Sequence, residues 1–146
     1  MKDRYEVFTT QIAKLSRCIR RIKSEEMAEF HLKSPHVSCL YYLHKQKEMT
    51  AKELCDICDE DKAAVSRSID YLEKNGYISC DSKTEKRYKS PLYLTELGEK
   101  IAKKIAEKID GILDKASEGL SEENRKIFYS SLFLISENLQ RICDKY

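Results

Sequence analysis

Two nearby stretches of the sequence are rich in positively charged and hydrogen-bonding side chains. In the first stretch, four residues lie outside the apolar stripe of a predicted helix: Lys62, Ala63, Ser66 and Arg67. Arginine can donate two hydrogen bonds to O6 and N7 of guanine or grip a phosphate, and serine can reach either group. An alanine methyl can pack on the methyl group of thymine. We expect this stretch to contact DNA, unless Arg67 forms a surface ion pair with Asp70 or Asp81 instead.

The second stretch, 83–89, is strongly basic. It sets four positive charges against the single negative charge of Glu85: Lys83, Lys86, Arg87 and Lys89. Positive side chains at the tip of a hairpin can bind the phosphates of a nucleic-acid backbone, and we expect Lys83 and Lys86 to do so.

A short helix is predicted to begin at Thr50, upstream of both stretches. Thr50 and Glu53 have the spacing of a capping box, and Met49 and Leu54 have that of a hydrophobic staple. The helix N-terminus can offer a hydroxyl from Thr50, backbone amides and the charge of Lys52 to a phosphate. Three residues share the apolar face of this helix: Leu54, Cys55 and Cys58.

A second helix is predicted after the acidic turn 59–61, where one of two aspartates can cap it. Its inward positions recur at i, i+4 and i+7, the spacing of one helical face: Val65, Ile69 and Leu72. Asn75-Gly76 ends the helix, because Gly76 can adopt the left-handed conformation that follows many helices.

After Gly76 the apolar residues alternate, which predicts strands at 77–80 and 88–94. Pro91 indicates that the second of them is an edge strand. The expected inward residues are Ile78, Cys80, Leu92 and Leu94. Helix, tight turn, helix and a two-stranded hairpin with a basic tip form a winged helix-turn-helix, which places one helix in the major groove of DNA and a loop beside it.

The same segment resembles the DNA-binding domain of the MarR family of transcriptional regulators. The matching motifs are Leu54-Cys55, Cys58, Asp61, Val65-Ser66-Arg67, Tyr71-Leu72-Glu73-Lys74-Asn75-Gly76-Tyr77-Ile78 and Leu94-Thr95-Glu96-Leu97-Gly98. The resemblance implies a mainly α fold with a small β-hairpin wing. It places dimerisation helices at 1–34 and 95–146 and the winged helix-turn-helix at 35–94, all in one compact unit.

The resemblance also implies a function. We expect a sequence-specific regulator, in this family most often a repressor, that binds a pseudopalindromic site on double-stranded DNA as a homodimer. Arg87 matches the wing arginine that enters the minor groove in the family. The sequence departs from the family at Lys86, where many members have an aspartate that holds the wing, and at Tyr88, which replaces a second arginine.

Small anionic aromatic effectors bind many family members where the dimer helices meet the DNA-binding domain. The corresponding region supplies His36, Tyr41 and Tyr42, with His31 and His44 nearby. These side chains can line such a pocket, and ordinary packing is the alternative interpretation.

Long apolar stripes predict the flanking helices. One helix is expected over 4–31, another from Ser34-Pro35 to about Gln46 with Pro35 in its first position. Two more are expected after Thr95 and after Ser121, with Gly119 ending the first of them. The outer helices carry more apolar surface than one small winged domain needs, which favours an obligate homodimer.

The composition and the missing motifs argue against a membrane protein, a secreted protein and an enzyme. The 146 residues fit one compact unit, the net charge is +2, and the chain has no span apolar enough for a membrane and no signal peptide, so we expect a cytoplasmic protein. The sequence contains no G-x-G-x-x-G motif, no Walker loop and no recognisable nucleophile–base arrangement. We therefore expect that the protein is not an enzyme and that it needs no cofactor.

Six cysteines leave a second hypothesis open. Cys55 and Cys58 form a C-x-x-C, but no second pair or close histidine completes a zinc site, so we expect no metal and interpret both as core residues. The alternatives are a thiol- or metal-responsive sensor on the same scaffold, and a winged helix used only for protein contact, which the acidic turn favours.

Overall fold

The computed structural model describes residues 3–58, 60–80 and 89–146. Within them lie six α-helices, one 3-10 helix at Ala28–Phe30 and three strands. The helices are α1 (Arg4–Glu26), α2 (Ser34–Gln46), α3 (Ala51–Ile57), α4 (Lys62–Lys74), α5 (Glu96–Ala116) and α6 (Glu122–Cys143). The strands are β1 (Glu48–Thr50), β2 (Ile78–Cys80) and β3 (Pro91–Leu94). The expected mainly α fold with a winged helix-turn-helix is confirmed.

Local capping sets where the helices begin. Thr50 accepts a hydrogen bond from the Glu53 amide (3.1 Å), Asp61 from the Ala64 amide (2.7 Å), and Ser121 from the Asn124 amide (3.1 Å). Each side chain satisfies an amide that has no partner within the helix. The predicted caps of α3, α4 and α6 are therefore confirmed.

The end of α4 has the predicted glycine signal. Gly76 has φ +78°, the Gly76 amide donates to the Glu73 carbonyl, and the Tyr77 amide donates to the Leu72 carbonyl. These two bonds make a Schellman motif. The motif turns the chain directly from α4 into β2.

The three strands form an antiparallel sheet within the described residues, in the order β1-β3-β2. Strand β1 was not predicted. It is three residues long and pairs Met49 with Leu92, a partner distant in sequence. The prediction that Pro91 lies in an edge strand is wrong, because β3 is the central strand. Pro91 is its first residue, a position where the missing N–H is tolerated.

Helix α1 is shorter than the predicted 4–31. It ends at Glu26, and the 3-10 turn that follows closes at His31 with φ 58°. Met27 and Leu32 are almost fully buried on either side of this turn. The chain leaves the helical path at this turn, and both side chains are buried in the core. At the start of α2, Pro35 is the second helical residue instead of the predicted first one.

Two compact units make up the chain, Met1–Lys108 and Ile109–Tyr146. The core of the first unit contains fully buried residues from α2, α3, α4, β3 and α5: Val37, Leu40, Leu43, Leu54, Val65, Leu72, Leu92 and Ile105. The second unit contains the end of α5 and all of α6, and no residue of α6 is buried. None of the described helices is long and apolar enough to span a membrane.

Gly98 in α5 lies directly against the backbone of Tyr77, the residue before β2. A Cβ added there would lie 1.9 Å from the carbonyl oxygen of Tyr77. That carbonyl also accepts a hydrogen bond from the Thr95 amide (3.0 Å), so it cannot move without breaking the junction between β2 and α5.

We expect Gly98→Ala to lower the free energy of unfolding by about 1–3 kcal/mol through overpacking. Urea denaturation followed by circular dichroism measures this change. The control is Gly111→Ala in the same helix, where an added Cβ meets nothing within 4 Å. The control should gain up to about 1 kcal/mol from helix propensity. Equal stability of the two variants would contradict the close approach.

Candidate nucleic-acid interface

Helix α4 presents one polar face to solvent. Its other face is buried through Val65, Ser68, Ile69 and Leu72, and the Ser68 hydroxyl donates to the Ala64 carbonyl at 2.9 Å. Burial of this stripe fixes the rotation of the helix about its axis. The four side chains selected from the sequence are all exposed in its first two turns: Lys62, Ala63, Ser66 and Arg67.

Arg67 has no ion pair with another residue of 3–58, 60–80 or 89–146, so Asp70 is not its salt-bridge partner there. Asp81, the other partner considered, lies outside the described residues. Sequence analysis did not select Lys74, which is exposed seven residues after Arg67. Residues seven apart share a helical face, so this spacing could have identified it.

The N-terminus of α3 is a second polar feature of the helix-turn-helix. Thr50 is half-buried, and its oxygen caps the helix as an acceptor, which leaves the hydroxyl proton to be donated elsewhere. Lys52 is exposed in the first turn. The two side chains therefore stand beside backbone amides that favour an anion.

The strands β2 and β3 form the base of the predicted wing. Ser79 pairs with Tyr93, and Cys80, the last residue of β2, pairs with Leu92. Ile78 and Leu92 are buried, whereas Cys80 and Leu94 are only half-buried. Lys83, Lys86 and Arg87 lie outside the described residues, as does Tyr88. Lys89, the first described residue after them, is exposed.

A stacked pair of rings joins α2 to α4. The imidazole of His36 lies on the Tyr71 ring with centroids 4.3 Å apart and planes 14° apart. The Tyr71 hydroxyl donates to the His31 carbonyl (2.9 Å), and the Lys33 amide donates to His36 Nδ1 (3.0 Å). Burial, with a smaller contribution from the Lys33 charge, lowers the pKa of His36.

This pKa shift predicts a loss of stability in acid. A histidine has an ordinary pKa of about 6.5. Because the folded value of His36 is lower, the unfolded chain takes up the proton first as the pH falls. The stabilising contribution is therefore complete above about pH 6.5 and is lost as the pH falls through the folded value.

Urea denaturation at about pH 8 and about pH 5 should show this loss, which His36→Gln should diminish. His31→Asn is the matched control, because asparagine tolerates the left-handed backbone of that position and leaves the stack in place. The assignment fails if the two variants depend on pH in the same way.

The residues proposed for an effector pocket have different neighbours. Tyr41 and Tyr42 meet edge to face with centroids 5.4 Å apart, and the Lys45 ammonium lies 5.6 Å from the Tyr41 ring centre. His36 instead stacks on Tyr71. The structure brings Tyr41 and Tyr42 together and places His36 against Tyr71 of α4.

A cavity of about 310 Å³ lies within the second unit. Its lining residues are Asp110, Leu113, Asp114, Ser117, Arg125 and Tyr129. None of the residues proposed for an effector lines this cavity. Two aspartates in its wall do not favour an anionic ligand.

Cys55 and Cys58 lie at the C-terminal end of α3. Cys58 ends the helix and is 6% exposed, as expected of a core residue, while Cys55 is only half-buried. Within the described residues, no group of three or more His, Cys, Asp or Glu side chains has a geometry that could hold a metal ion.

Comparison with known proteins gives consistent matches. The model of the MarR family matches residues 32–87. The HTH-type transcriptional regulator YwoH of Bacillus subtilis (strain 168) is 30% identical over 123 residues, which cover 84% of this chain and 88% of that protein.

Solved structures share the fold. A putative MarR family transcriptional regulator from Listeria monocytogenes, complexed with a 26mer DNA, superimposes with a TM-score of 0.83 at 24% identity, covering 95% of this chain and 90% of that one. The MarR family regulator NMB1585 from Neisseria meningitidis gives a TM-score of 0.78 at 19% identity, covering 98% of each chain.

Proposed function

Since this chain belongs to the MarR family of transcriptional regulators, we propose that it binds a pseudopalindromic site on double-stranded DNA as a homodimer and represses transcription from it. The observation that carries the proposal is the exposed polar face at the start of α4, whose rotation is fixed by the buried stripe opposite. The Listeria regulator of the same fold, solved with DNA, supports this role.

In this proposal α4 enters the major groove. Arg67 donates to guanine O6 and N7, Ser66 reaches a base or a phosphate, and Ala63 packs on a thymine methyl. Lys62, at the start of the helix, adds positive charge near the backbone. Lys74 extends the same face toward the end of α4 and contacts a phosphate.

Phosphate contacts on either side of α4 set the orientation of the protein. Thr50 and Lys52 bind one phosphate at the N-terminus of α3. In the wing, Lys83 and Lys86 bind phosphates and Arg87 enters the minor groove, where a narrow A-tract strengthens its attraction.

The homodimer is supported by apolar side chains that the single chain leaves exposed. In α1 they recur every four or three residues: Phe8, Ile12, Leu15 and Ile19. In α6 they share one helical face: Phe128, Ile135, Leu139 and Ile142. Such surfaces are typical of subunit interfaces. Two-fold symmetry then sets the half-sites about 34–36 Å apart.

An effector would act through α2. We propose that a small anionic aromatic molecule contacts the region of His36, Tyr41 and Tyr42 and releases the repressor from DNA. The His36–Tyr71 stack supports this route, because a ligand that displaces His36 acts directly on α4. The ligand must bind the released state more tightly in order to shift the equilibrium.

Fluorescence anisotropy of the purified protein on DNA from beside its own gene tests the proposal. Scrambled DNA of the same length is the control, and both are titrated over a salt series. We expect tight, sequence-selective binding that weakens steeply with salt. Unselective or absent binding to DNA from several promoters would favour a protein-contact module instead.

Arg87→Ala tests the wing. Removing one cation from the backbone and minor groove should weaken binding and reduce the salt slope by about 1, with the dimer intact. Lys89→Ala is the matched control, since Lys89 follows the wing tip and has no assigned contact. If the variant has the same affinity and salt slope as the unsubstituted protein, Arg87 does not contact the DNA.

A further inference from the structure

Lys108 of α5 binds the chain where α1 ends. Its ammonium group donates hydrogen bonds to the Glu26 carbonyl (3.0 Å) and to Oε1 of Glu29 (2.7 Å). The same group lies 5.8 Å from the centre of the Phe30 ring. The carbonyl of Glu26, the last residue of α1, has no partner within the helix, so a cation is a favourable cap there. Lys108 therefore ties α5 both to the end of α1 and to the 3-10 turn that follows it.

The same turn is also bonded to α4. The Tyr71 hydroxyl donates to the carbonyl of His31 (2.9 Å), the residue directly after the 3-10 helix. Tyr71 lies one helical turn beyond Arg67, the proposed guanine contact, and its ring stacks on His36. The turn at residues 28–31 therefore joins an outer helix to the helix that is proposed to enter the major groove.

Hydrogen bonds within the turn hold it together. The Phe30 amide donates to the Met27 carbonyl (3.1 Å), and the His31 amide donates to the Ala28 carbonyl (3.0 Å). Met27 and Leu32, on either side of the turn, are almost fully buried. His31 has φ 58°, a left-handed conformation that residues other than glycine rarely adopt. A turn that is closed in this way transmits a displacement from one end to the other, whereas a flexible loop would absorb it.

We propose that Lys108 and Tyr71 are positioning residues that hold α4 in a fixed orientation relative to the proposed dimerisation helices α1 and α5. The inference rests on the proposed function, because the orientation of α4 in each subunit determines how far apart the two recognition helices of a homodimer stand. Neither side chain has to contact DNA. Together with the turn at 28–31, the pair limits the spacing between half-sites that the protein accepts.

Spacing is a strict requirement for a dimer on DNA. Each added base pair moves a half-site by about 3.4 Å and rotates it by about 34–36°. A dimer whose α4 helices are firmly held loses its second half-site when the spacing changes. A dimer whose α4 helices can swing keeps part of its binding at the wrong spacing, but it loses more conformational entropy when it binds at the right one.

Anisotropy on a set of duplexes tests the spacing. The set contains the selected DNA with both half-sites, the same DNA with one base pair inserted at its centre, and the same DNA with one half-site scrambled. Lys108→Met should bind the intact site about twofold to thirtyfold more weakly than the unsubstituted protein, the effect of mutations along coupled networks. Its affinity for the single half-site should not change. The inserted base pair should cost this variant less affinity than it costs the unsubstituted protein.

Two further variants separate positioning from charge. Lys103→Met removes the same charge from an exposed position of α5 and should keep the affinity and the spacing preference of the unsubstituted protein. Tyr71→Phe keeps the ring that stacks on His36 but removes the hydroxyl, and it should reproduce the pattern of Lys108→Met. Because the two bonds act in series, the double variant should lose no more affinity than the more affected single variant. Losses that multiply would show independent contacts and overturn the proposal.

Amide hydrogen exchange without DNA tests the link itself. Lys108→Met should accelerate exchange in the turn at 28–31 and also at the C-terminal end of α4. Acceleration confined to the turn would overturn the proposal, as would equal losses of affinity on the intact site and on the single half-site. If the unsubstituted protein does not prefer the intact site to the single half-site, the proposed function fails, and the exchange data still decide whether the turn links α5 to α4.

Discussion

Ile135→Glu is expected to convert the protein into a folded monomer that no longer holds its DNA site. Ile135 lies in the middle of the apolar face of α6 and is 41% exposed in the single chain. A glutamate at this position can remain hydrated in a monomer. In a two-fold interface each subunit would bury one unpaired carboxylate, which is strongly unfavourable.

Loss of the dimer should weaken binding to the full pseudopalindrome by about 10²- to 10⁴-fold, because the second half-site is then no longer held at high effective concentration. Sedimentation velocity measures the mass, and anisotropy measures the affinity. Ser130→Glu carries the same new charge on the opposite face of α6 and should remain dimeric. A dimeric Ile135→Glu protein would show that this face of α6 is not the interface.

Local signals in the sequence predicted the helix-turn-helix well. The cap residues Thr50 and Asp61 and the terminating Gly76 act within a few residues of themselves, so their spacing is visible in the sequence. The buried stripe of α4 follows from helical periodicity alone. The exposed face used in the proposed function is the complement of that stripe and was predictable for the same reason.

Contacts between distant residues were not predictable in this way. Strand β1 exists because Met49 pairs with Leu92, and that pairing makes β3 central despite Pro91. The sequence between residues 26 and 32 is compatible with continued helix, but α1 ends at Glu26, and Met27 and Leu32 are both buried in the folded chain.

In the candidate site, too, local features were predictable and contacts between distant residues were not. The polar face of α4 was visible in the sequence, whereas the stack of His36 on Tyr71 joins rings 35 positions apart that no short-range pattern relates.

Arg67→Ala is expected to weaken binding to the specific site by about 1–3 kcal/mol and to relax the preference for one base pair. Arg67 is exposed on α4 and has no ion pair with another described residue, so its removal should leave the free energy of unfolding unchanged. The measurements are anisotropy on the specific site, on the same site with each candidate guanine replaced, and on scrambled DNA.

Arg67→Lys separates the two possible roles of this side chain. Lysine keeps the positive charge but cannot donate the two parallel hydrogen bonds that a guanine edge accepts. If Arg67 contacts guanine, Arg67→Lys should lose base preference almost as fully as Arg67→Ala while keeping the salt slope of the original protein. If Arg67 grips a phosphate, Arg67→Lys should bind nearly normally, and Arg67→Ala should lose the same factor on specific and scrambled DNA. In the second case Ser66 and Ala63, which are exposed on the same helical face, would be the residues that read the bases.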